Sequence, residues 1–163
     1  MSYLKQYKNG VNRLADKANW LAAAAIVAMM LVTVTDVTLR FFRCPVPGTY
    51  DVVGLLGALT ISLSLGFTSV QKGHIAVDFL VSRFSATAQR RIHAVNSLIA
   101  AVFFAVVAWE SGVYAISLKA AGEVSPTLKL PVYPFVLGVA AGCVLLCCVL
   151  LADCGQSLAG EEK

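Results

Sequence analysis

The sequence predicts an all-α integral membrane fold of four transmembrane helices, and three observations predict it. The chain has 163 residues, 58% hydrophobic and 13% charged, with a mean hydropathy of +0.77. That is more apolar surface than a soluble domain of this length can hide in a core. Four uncharged runs each approach or exceed the roughly 20 helical residues that cross a bilayer core. Every run is closed by charge at both ends, and together they nearly exhaust the chain, so a single domain, 1–163, is expected.

The first run, 18–35, lies between Lys17 and Asp36, and its helix is expected at about 18–39. It is followed by Asp36, Arg40 and Arg43 rather than by a small-residue cleavage site, so it is expected to stay in the mature protein. The connector RFFRCPVPGTYD then carries Pro45, Pro47 and Gly48, which break helix and turn the chain back. The second run, 52–71, opens at Asp51, where a carboxylate is favoured by the helix dipole, and closes at Lys72.

Residues 74–91, HIAVDFLVSRFSATAQRR, place Val77, Leu80, Val81, Phe84 and Ala88 at helical spacing, with Asp78, Ser82 and Ser85 on other sides. This predicts a partly amphipathic interfacial helix at about 74–90, between transmembrane helices 2 and 3, with Arg83, Arg90 and Arg91 reaching lipid phosphates. The competing reading is an amphipathic extension of the third membrane helix. That helix is expected at about 92–112; Glu110 closes its apolar run and is expected at head-group depth. In EVSPTLKLPVYP, Ser125, Pro126, Pro131 and Pro134 predict a turning segment ahead of a fourth helix at about 130–152.

Alternation of the four helices divides the 13 Lys and Arg nine to four, and the richer side includes both termini. The positive-inside rule therefore predicts an N-in/C-in topology, with the first and third connectors facing outward. The net charge of +4 then reflects orientation and contact with anionic lipid. Nucleic-acid binding would need a clustered basic stripe with interleaved aromatics, and the chain has none.

Little in the sequence carries chemistry. His74 and His93 are the two histidines, both near the same boundary, which does not suit haem or metal ligation. Three of the five cysteines lie in the fourth run as small apolar side chains, and Cys44 and Cys154 fall on opposite sides of the predicted topology. Paired CxxC motifs, a nucleophile elbow, a phosphate loop and a pair of catalytic carboxylates are missing, so neither enzyme activity nor a cofactor is expected. Asp36 and Arg40 stand four apart, the spacing at which helical side chains meet, so an ion pair is available; contact with a partner subunit is the alternative.

The order of DVTLRFF (36–42), PGTYDVV (47–53), GHIAVDFL (73–80) and SPTLKLPVYP (125–134) between four hydrophobic spans resembles a known family. It is the small membrane subunit (DctQ-like) of tripartite ATP-independent periplasmic (TRAP) transporters. The likeness covers nearly the whole chain, with two departures. Aspartate stands at Asp51 where the family commonly has glutamate, and Ala76 stands where it often has a basic residue.

The resemblance implies a multi-pass protein of a bacterial inner membrane that works with two partners. One is a large membrane subunit carrying substrate and sodium sites; the other is a soluble periplasmic binding protein that delivers a solute, often a carboxylate. It points to Arg40, Asp51 and Asp36 as partner or structural residues on the outer side. Ser125, Pro126 and Pro131 would shape the loop that meets the binding protein, and His74 and Asp78 would orient the interfacial segment. Two other classes compete: a structural subunit of another membrane complex, and a four-helix multidrug exporter with Asp36 as its exchangeable carboxylate.

Overall fold

The computed structural model describes residues 2–71 and 86–159. Among them are four helices: α1 (Ser2–Phe41), α2 (Thr49–Val70), α3 (Ala86–Ala121) and α4 (Tyr133–Ala159). Each contains a stretch long and apolar enough to cross a membrane: Gly10–Phe41, Thr49–Val70, Ala94–Ala121 and Tyr133–Gly155. The helices outrun the hydrophobic runs, because backbone hydrogen bonding continues past the point where side chains turn polar. The charged head is already helical from Ser2, and α3 takes in residues 86–90, the end of the expected interfacial segment. The remainder of that segment, with His74, Asp78 and Arg83, lies outside the described residues.

α4 is the centre of the bundle. It packs against α1, α2 and α3, while α2 also packs on α1; among the described residues α3 has α4 as its one substantial neighbour. Burial follows: 39% of the apolar window of α4 is buried, against 11–17% for the other three. Val11, Ala15 and Ala18 of α1 close on Leu145 and Val149 of α4. On the other side, Ala101 of α3 closes on Leu146 and Leu150.

Small residues set the helix spacing. On α3 the buried alanines are Ala94, Ala101, Ala108 and Ala115, one every seven residues, a seam that stays turned toward α4 along the helix. Across this seam the Cys147 thiol donates to the Ala101 carbonyl at 3.4 Å and the Cys154 thiol to the Ala94 carbonyl at 3.6 Å. These contacts fix an antiparallel register. Between α2 and α4, the Ser62 hydroxyl donates to the Val139 carbonyl at 2.8 Å. A Cβ on Gly142 would sit 2.6 Å from the Ser62 carbonyl oxygen, so the two backbones approach here as only glycine allows. Other hydroxyls are satisfied within their own helix, as Thr33, Thr35 and Thr38 donate to the carbonyls of Met29, Leu31 and Val34 at 2.8 Å.

Candidate functional site: the joined connectors

Asp36, Arg40 and Asp51 gather where α1 ends, α2 begins, and the 122–132 connector returns the chain to α4. α1 and α3 stop in the same way. The Cys44 N–H donates to the Leu39 carbonyl and the Arg43 N–H to that of Arg40, each at 3.0 Å. The Glu123 N–H likewise donates to Leu118 at 3.1 Å and the Gly122 N–H to Lys119 at 3.3 Å. Both are Schellman caps, whose turning residue adopts the left-handed conformation. In α3 that residue is Gly122 (φ 65°); in α1 it is Arg43 (φ 61°), where a side chain carries a steric cost.

Asp36, one turn before the end of α1, is buried at 4% exposure. Its Oδ2 accepts from the Arg40 guanidinium at 2.6 Å, and its Oδ1 accepts from the Val46 backbone N–H at 2.9 Å. One carboxylate thus neutralises the last turn of α1 and holds the returning connector, whose Val46 carbonyl accepts from the Thr49 hydroxyl at 3.2 Å. Arg40 remains about half exposed. A shallow hollow opens beside the pair, lined by Thr33, Val37, Arg40, Thr49, Tyr50 and Val53 with Asp36.

Asp51, in the first turn of α2, bonds neither to Arg40 nor to Arg43. Its Oδ2 accepts the hydroxyl of buried Ser125 and, at 3.1 Å, the backbone N–H of Thr127. Ser125 in turn donates its N–H to the Leu130 carbonyl at 2.8 Å and accepts from the Lys129 N–H at 3.1 Å. Val124 pairs with Pro131 in an isolated antiparallel bridge. Pro126 stands exposed at the turn of this small knot. The knot sits on the first connector, because the Leu128 side chain covers Gly48, which precedes α2 in the left-handed region (φ 81°). Lys119 places its Nζ 5.7 Å from the Tyr133 ring centroid, joining the end of α3 to the start of α4.

The structure therefore joins Asp36 to Arg40 and Asp51 to Ser125, two neighbouring networks with separate partners. Val46, Thr127 and Leu128, which complete them, act through backbone N–H or shape, and the sequence marks none of them. Arg90 falls in the opening turns of α3, and Arg91 is exposed there. With both Asp36 oxygens engaged, the carboxylate lacks the openness that an exchangeable exporter acid requires. Among the described residues no three His, Cys, Asp or Glu side chains converge as metal ligands would.

No curated protein and no solved structure matches the chain. Residues 29–160 match the family described as "Tripartite ATP-independent periplasmic transporters, DctQ component", a stretch that includes the end of α1, both joined connectors and all of α2, α3 and α4. The chain belongs to the DctQ family, the small membrane component of TRAP transporters.

Proposed function

We propose that this subunit anchors and stabilises the large membrane subunit of a sodium-coupled, binding-protein-dependent TRAP transporter for a carboxylate-type solute. The observation that carries the reading is the apolar surface left uncovered by the fold. Three of the four spans are less than one-fifth buried, and Trp20, Val27, Leu31, Val34 and Phe41 stand exposed along α1 alone. Surface of that extent is either solvated by lipid or covered by another membrane chain, and a transporter component has such a partner. The charged residues at the connectors hold this subunit's own loops, which suits a scaffold, with solute chemistry carried by another chain.

The charge bias supports an inner-membrane orientation with both termini cytoplasmic. The joined connectors then face the periplasm, where the knot around Ser125, Pro126 and Pro131 would present a firm surface to the binding protein. A tagged chain extracted in mild detergent should bring down a much larger polytopic membrane protein. Reconstituted together with the binding protein, the pair should take up a carboxylate solute only under an inward sodium gradient. Recovery of redox subunits in place of a polytopic carrier would refute the reading.

A further inference from the structure

The one acidic residue of α3, Glu110, belongs to neither network. Glu110 is exposed and has no hydrogen-bond or ion-pair partner among the described residues. Its depth follows from the helix register. Cys147 meets Ala101 and Cys154 meets Ala94, so nine residues further along α3 and nine back along α4 place Glu110 level with Gly138. Gly138 lies against Leu59, since a Cβ built on it would meet the Leu59 side chain. Leu59 is in the middle of α2, which crosses from Thr49 to Val70. Glu110 is thus about 7 Å of helix below the start of α4 at Tyr133 and about 15 Å below the start of α2 at Thr49, at a rise of about 1.5 Å per residue. It lies inside the apolar spans of α2, α3 and α4, below their joined ends.

Its direction is equally defined. Ala108 and Ala115 belong to the seam that faces α4. At about 100° per residue, Glu110 lies roughly 200° around the helix from Ala108, pointing out of the bundle. Its helical neighbours Phe103, Val106, Val113 and Tyr114 are all exposed, as is Trp109 beside it. The nearest cations on α3 are Arg91, far down the helix, and Lys119, which is engaged with Tyr133 some nine residues away on the other side of α3. An unpaired carboxylate turned toward lipid within these spans is costly.

We infer that Glu110 marks the face of α3 that docks a transmembrane helix of the large subunit, and that this helix supplies an arginine or lysine to pair with the carboxylate within the bilayer. The inference rests on the anchoring role proposed above and adds where the contact is and what chemistry makes it. Val106 and Val113, one helical turn either side of Glu110, complete the contact surface.

Co-purification of the large subunit with the tagged chain tests it. Glu110→Leu favours membrane insertion, so its effect reads the lost contact and not failed integration; recovery of the large subunit should fall about tenfold or more. Glu110→Gln keeps the shape without the charge and should lose assembly comparably, while Glu110→Arg should abolish it. Photo-crosslinking residues placed at Val106 and Val113 should label the large subunit, and one at Leu31 on α1 serves as a comparison surface. Wild-type recovery with Glu110→Leu or Glu110→Gln would overturn the ion pair while leaving the anchoring role standing. Failure of the unmodified chain to bring down any polytopic partner would overturn both.

Discussion

At the scale of single residues, Asp36 and Asp51 are alike in charge and differ in what they hold. Asp36 bridges two segments of one connection, binding Arg40 and, ten residues on, Val46, so its usefulness was half legible in the sequence: the i,i+4 pair is visible, the backbone contact is not. Asp51 binds Ser125, 74 residues away, and no local pattern reports such a contact. Asp36→Ala removes both acceptors and should lower the melting temperature of the subunit in detergent by several degrees. Asp36→Asn retains one acceptor and should lower it less. Equal shifts for the two substitutions would show that only the charge matters. Ser125→Ala should leave the helices intact and loosen the knot, read as faster hydrogen exchange across 122–132. Arg43 offers the opposite sign: Arg43→Gly at the left-handed cap of α1 should stabilise by about 1 kcal/mol, seen as a raised melting temperature.

At the scale of elements, hydropathy locates the helices and misjudges their lengths. A charge-bounded apolar run reports where lipid is tolerated, and the helix continues wherever the backbone can still bond to itself. That is why α1 starts at Ser2 rather than near Ala18, and why Glu110, at the end of an apolar run, sits mid-helix with eleven residues of α3 still to follow. The helix contacts were less legible still, because small residues are scattered over all four runs and only some sit at a crossing. Gly142 and Gly112 show the difference. A Cβ at Gly142 runs into Ser62, whereas one at Gly112 meets nothing within 4 Å. Gly142→Ala should therefore destabilise the subunit by about 1–3 kcal/mol through overpacking at the α2–α4 crossing. Gly112→Ala should be neutral or stabilising by up to about 1 kcal/mol through helix propensity. Thermal unfolding of the two variants under the same detergent conditions separates them.

At the scale of the whole molecule, membership of the family was legible because four short motifs stand in a fixed order between the spans, and the bundle brings three of them, 36–42, 47–53 and 125–134, into one joined end. What a sequence of uniformly apolar helices does not reveal is which face each helix turns to its neighbours; that needed the register of α3 on α4. The arrangement around α4 also has a consequence in time. Helices emerge from the ribosome in chain order, and α1 and α2 can pair as a hairpin as soon as both are made. α3 then enters the bilayer with its one substantial neighbour among the described residues still unsynthesised. Until α4 arrives, the alanine seam and the thiol-bonded carbonyls of α3 face lipid with nothing to meet them. A nascent chain halted before Tyr133 should thus hold a formed α1–α2 pair beside a solitary α3, open to membrane proteases and chaperones, and the last helix made is the one that turns four insertions into one protein.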